Sequence, residues 1–188
     1  MKRFALLVAL VGCGSSQTTG QIPRGEVPAS EEAPEAMGEE GDPNAPTPFT
    51  AAQIRDACPP GRVDTFRLSA EATMQMAFGE HTATGVRFTT TVTAGSQAAE
   101  PEEGEATWEE LRLHASYPAE ATTIAEETVE TPAGSFRALH YTVVDADAQT
   151  TTHAWFAHER PGPPVRHRVE NAAGEVMSEM ILESFTAP

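Results

Sequence analysis

The sequence predicts an α+β fold of mainly antiparallel strands: one curved meander sheet with two short helices, able to close part-way into a half-open barrel. Three observations predict it. From residue 121 onward, five alternating runs are separated by short Pro/Gly/Asn/Asp signals. Between residues 63 and 94, further runs are rich in β-branched and aromatic residues at near period 2. Two Thr-x-x-Gln/Glu boxes stand at the head of short amphipathic stretches. About 138 residues follow Thr50, enough for one domain with a real core and too few for two.

At the N-terminus, Lys2 and Arg3 precede the apolar run Phe4 to Val11, which at ~1.5 Å per residue reaches about 12 Å against roughly 30 Å of hydrocarbon. The run is too short to span a bilayer, and the positive start and the small Gly12 before Cys13 make residues 1–12 a signal peptide. Leu10-Val11-Gly12-Cys13 resembles the lipobox of bacterial lipoproteins. The resemblance implies that the Cys13 thiol carries diacylglycerol and that the chain is cut before it. At about 0.8 kcal/mol per buried methylene, two or three acyl chains hold a protein on a membrane nearly permanently. Gly14 stands where the inner-membrane retention signal of such proteins has aspartate, so the expected address is the outer membrane, with the domain in the periplasm.

Residues 13–49 are rich in Pro, Glu, Gly and Ser and poor in aromatic and branched apolar residues, so they are read with the acylated cysteine as a disordered acidic linker of order 30 Å. The single β-rich domain is placed at 50–188. Thr50 and Gln53 open its first helix, with Ile54 and Cys58 on one face, and Pro59-Pro60-Gly61 stop it. "VDTFRLSA", "EATMQMAFGE" and "VRFTTTVTA" read as a meander; "AAEPEEGEA" reads as an acidic turn. Thr107 and Glu110 open the second helix, with Trp108, Leu111 and Ala115 on one stripe. Then come "TTIAEETVET", "SFRALHYTVVD", "TTTHAWFAHE", "PVRHRVE" and "EVMSEMILESF", whose short connections make them antiparallel neighbours.

Charge excludes one class of partner. Seven of the 28 acidic and three of the 12 basic residues lie in the first fifty positions, leaving a net −12 on the remainder, which repels phosphate backbones and anionic headgroups; nucleic acid is not an expected partner. Lys2 is the only lysine and leaves with the signal peptide, which removes Schiff-base chemistry and the P-loop amine. With Cys13 acylated, Cys58 has no disulfide partner and is expected as a small buried hydrophobe.

Motifs that carry chemistry are sparse. Six histidines show no zinc-site spacing: His153 and His158 point to opposite faces of an extended strand, and His140 and His167 meet only if their strands pair. "DADAQ" starts like a calcium loop, but Thr150 and Phe156 stand at the glycine and glutamate positions, so it reads as a hairpin turn. The serine elbow Gly-x-Ser-x-Gly is absent, and Glu126, Glu127 and Glu130 read as a solvated strand edge. No catalytic, cofactor or metal residue is assigned, and the chain is expected not to be an enzyme.

"ETPAGSFRALHYTV" followed by "HAWFAHERPGPPVRHRV" resembles a pattern of bacterial lipoproteins related to the lipoprotein-carrier fold, in which a curved antiparallel sheet is partly closed by helices around an apolar cavity. The resemblance covers roughly residues 128–186 and carries over no individual binding residue. It implies a groove for a lipid-like or hydrophobic ligand; separately, Phe136, Tyr141, Trp155, Phe156 and Met180 sit in predicted strands of one sheet and are its candidate lining if the sheet stays half open. The alternative is a structural or protein-interaction module of the cell envelope whose aromatic residues make a fully packed core.

Overall fold

A computed structural model describes residues 42–186; the signal peptide, Cys13 and the linker up to residue 41 lie outside the described residues. Two helices, α1 (Ala51–Ala57) and α2 (Trp108–Leu113), accompany ten strands: β1 (Val63–Arg67), β2 (Ala72–His81), β3 (Gly85–Ala94), β4 (Gln97–Ala98), β5 (Glu102–Thr107), β6 (Thr122–Thr131), β7 (Gly134–Asp145), β8 (Thr150–Ala157), β9 (Arg166–Asn171) and β10 (Val176–Thr186). Both capping boxes form as read: the Thr50 hydroxyl accepts from Gln53 N, the Thr107 hydroxyl accepts from Glu110 N, and each N3 side chain accepts from its cap's backbone N–H.

The strands make one antiparallel sheet in the order β4-β3-β2-β1-β10-β9-β8-β7-β6, with β5 beside β3. Two meanders, β1–β3 and β6–β10, are joined because the last strand pairs with the first, Val63 opposite Thr186 and Phe66 opposite Leu182 across a bulge. Among the described residues no pairing joins β4 to β6, so the sheet is not closed there. One core cluster takes Phe49, Ile54, Cys58, Trp108 and Ala115 from the helical side, Phe78 and Val86 from β2–β3, and Tyr141, Ala154 and Phe156 from β7–β8. Strands four and more places apart meet the same two helices, so the sheet curves around them. A second cluster, with Phe66, Val129, Phe136, Trp155, Val165 and Leu182, lies where the β6–β7 turn reaches β10 and Ala133 N donates to Leu182 O.

Two expectations are corrected. Asp42–Phe49 belongs to the folded unit and not to a disordered linker: Ala45 N donates to Tyr117 O, Ala119 N donates to Pro43 O, and Phe49 is buried edge-on against Phe156. Its three prolines bring no N–H groups that burial would leave unpaired. The acidic stretch after Ala94 is not a plain turn but β4 and β5. β5 pairs with β3 so closely that a Cβ at Gly104 would meet the Phe88 ring at 2.6 Å.

The ends of the first meander are tied down by a buried charge network. Asp64, 1% exposed, accepts from Arg62 (Nη2 to Oδ2, 2.6 Å) and from Arg160 on the β8–β9 connection. The Arg62 Nη1 group also donates to Ala57 O at 2.7 Å and to Pro161 O at 3.0 Å, so one guanidinium joins α1, β1 and that connection. Cys58 lies beneath it, a free and fully buried thiol as expected. Burial pushes its pKa up to about 11 against the pull of Arg62, and little reactive thiolate exists near neutrality. Replacing Asp64 by Ala strands the buried Arg62 and the half-buried Arg160 guanidinium groups and is expected to cost about 3–5 kcal/mol, read as a lower urea midpoint.

Candidate functional site

Cross-strand register sorts the side chains of β6–β10 into two faces. Leu139 opposes Phe156 and Tyr141 opposes Ala154 on the face that meets the helices. His140 opposes Trp155, and Trp155 opposes Arg166, on the other. The five candidate groove residues therefore do not line one groove. Tyr141 and Phe156 belong to the helix-side cluster, while Phe136, Trp155 and the partly buried Met180 join the second cluster. Trp155 and Phe156 part because neighbours on a strand point to opposite faces. The curved face where the resemblance places an apolar cavity is filled by the chain's own Phe49, Ile54, Trp108 and Leu111, and the Tyr141 hydroxyl is bonded to Pro46 O at 2.7 Å.

The other face carries polar chemistry in rows. One row runs Val144, Thr151, Glu170, Val176; the next runs Thr142, His153, Arg168, Glu179; the third runs His140, Trp155, Arg166, Ile181. Within them the His140 and Trp155 rings stack at 4.3 Å and 10°, and Arg166 lies over the indole at 5.2 Å. The indole N–H donates to Glu127, the same carboxylate that faces His140 Nδ1 at 3.4 Å. His140 Nε2 and His153 Nδ1 are 3.0 Å apart, and the Thr142 hydroxyl lies 3.3 and 3.5 Å from them. His153 Nε2 faces Glu170 at 3.7 Å, and Glu170 is paired with Arg168 at 2.7 Å. Arg166 pairs with Glu179 at 2.6 Å. Among the described residues no three His, Cys, Asp or Glu side chains converge as a metal-ligand group.

The histidine pair was missed in the sequence, though its signal was present. The turn after Asp145, closed by Ala148 N donating to Asp145 Oδ1 and by Gln149 at φ 54, sets Asp145 opposite Thr150. Counting back from that pairing puts Trp155 opposite His140 and His153 one pair away, on the same face. His167 lies instead on the Phe156 side, paired with Met180. Glu126 meets Arg137 and His158 across an exposed edge, as a solvated strand does.

Burial lowers the pKa of His140, against the attraction of Glu127 and reinforced by His153 and Arg168; burial alone lowers that of His167. Both rings are held neutral in the fold, so on acidification the unfolded chain takes up protons first, beginning near its ordinary value of about 6.5. Stability is full above that pH and falls below it toward the lowered folded values. The thermal midpoint is expected to drop between about pH 7 and about pH 5, and a His140→Gln, His167→Gln double variant should show a shallower drop.

No protein-family profile and no curated protein matches this sequence. Solved structures are similar to it. MucB, solved in complex with MucA(peri), superposes with a TM-score of 0.50 at 12% identity, over 73% of this chain and 55% of that one. A candidate lipoprotein from Parabacteroides distasonis ATCC 8503 gives 0.46 at 12% identity, over 69% of this chain and 96% of that one. A candidate exported protein with a YmcC-like fold from Bacteroides fragilis NCTC 9343 gives 0.43 at 12%, over 69% and 97%. This chain spans just over half the length of MucB.

Proposed function

We propose that this chain is a non-enzymatic lipoprotein of the bacterial envelope, held on the outer membrane by acylated Cys13, whose curved-sheet domain recognises a protein partner in the periplasm. The observation that carries the reading is the filled concavity. Phe49, Ile54, Trp108 and Tyr141 occupy the place a hydrophobic ligand would take, so among the described residues the concave face is filled by the chain's own side chains. What remains for recognition is the face of β7–β10, where Arg166 and Arg168 are flanked by the exposed Val144 and Val176. That MucB, of the same fold, is solved in complex with a protein supports a protein partner here.

In cells making the full chain, photo-activatable residues at Val144 and at Val176 should capture one and the same protein, and one at Leu113, exposed on α2, should not. Recovery of the domain with non-covalent lipid by native mass spectrometry, together with no capture at either valine, overturns the reading in favour of the hydrophobic-ligand groove. Labelling with a tagged fatty acid should be lost in Cys13→Ser; labelling that survives the substitution removes the anchor.

A further inference from the structure

We propose that His140, His153 and Thr142 bind a divalent transition-metal ion, Zn²⁺ or Cu²⁺, on the sheet face turned away from the helices. Each end of the pair faces a carboxylate, His140 Nδ1 toward Glu127 at 3.4 Å and His153 Nε2 toward Glu170 at 3.7 Å, while the inner nitrogens face each other at 3.0 Å. In the tautomer with both ring protons outermost, toward the carboxylates, the two inner nitrogens and the Thr142 oxygen are left as electron-pair donors around one point.

A metal ion fits that point. The three inner donors, His140 Nε2, His153 Nδ1 and Thr142 Oγ1, stand 3.0, 3.3 and 3.5 Å from one another, and a point about 2 Å from all three exists, the usual Zn–N length. With the ion there, both outer N–H groups point toward Glu127 and Glu170, as in a carboxylate–histidine–metal relay that fixes the tautomer and strengthens the ligand. Two imidazoles suit zinc and copper, and water completes the coordination. The electrostatics agree: Glu127 and Glu170 face the pair against the single guanidinium of Arg168. The rings are held before any ion arrives, His140 by its stack on Trp155, and side-chain exposures of 16% and 15% leave them reachable.

The test uses the full chain, purified without a polyhistidine tag and stripped with chelator. Calorimetric titration with zinc chloride should give saturable binding of one ion per chain. His140→Ala and His153→Ala should each weaken it at least tenfold, Thr142→Val by a smaller factor, and His114→Ala and His158→Ala not at all. Cupric ion should quench the fluorescence of Trp155, which stacks on a ligand, and Trp155→Phe should remove that quenching while zinc still binds. Should an alanine variant fail to fold, X-ray absorption of the zinc-loaded wild type gives the answer: two imidazoles in the first coordination sphere support the site. Absence of saturable binding, equal binding by the His140→Ala, His153→Ala double variant, or a first sphere without imidazole overturns it. The partner-binding reading stands or falls separately, by the capture at Val144 and Val176.

Discussion

A sheet of ten strands with one apolar face must bury that face, and the helices available to do it have seven and six residues. At 1.5 Å per residue each is roughly 10 Å long, whereas nine strands abreast at about 4.8 Å span about 40 Å. Two such helices cannot cover a flat sheet of that width. The sheet therefore bends until strands near both ends, β2–β3 and β7–β8, reach the same helices, with Trp108 and Ile54 at the meeting point. The pairing of β10 with β1 makes this possible, because it turns two separate meanders into one surface that can wrap. The buried Arg62–Asp64 pair holds the C-terminal end of α1 to β1.

The bend decides what chemistry is left. An apolar trough survives in a curved sheet only where the filling is incomplete, and here the N-terminal segment enters with Phe49 and accepts the Tyr141 hydroxyl through Pro46. The inner face is consumed by packing. Chemistry moves to the outer face, where alternation along β7, β8 and β9 delivers imidazoles, an indole and guanidiniums to neighbouring positions.

Much of this was legible in the residues, and the failures have physical causes. Periodicity and turn residues locate the strands because each strand is half-buried and each turn carries its own backbone chemistry. The capping boxes locate the helices because Thr50 and Thr107 satisfy specific N–H groups. The β10–β1 pairing is a long-range event between the first and last strands, on which local sequence is silent. Glu102–Thr107 forms a strand despite its carboxylates because β3 offers it a partner and Gly104 lets it sit against Phe88. Asp42–Phe49 looks like linker because composition counts apolar residues, whereas a proline-rich segment needs only Ala45, Phe49 and a few accepted hydrogen bonds to be held.

The aromatic residues teach the sharper lesson. Phe136, Tyr141, Trp155, Phe156 and Met180 form a set by composition and by strand, but a binding surface is a set by face, and a strand divides its neighbours strictly between two. The same register that separates Trp155 from Phe156 brings His140 beside Trp155 and within reach of His153. An apolar side chain sent to the wrong face costs hydrophobic burial, whereas a histidine there gains carboxylate partners and an aromatic stack. Alternation therefore sorts the two along β7 and β8: Leu139, Tyr141 and Phe156 pack toward the helices, and His140 and His153 face the carboxylates of Glu127 and Glu170.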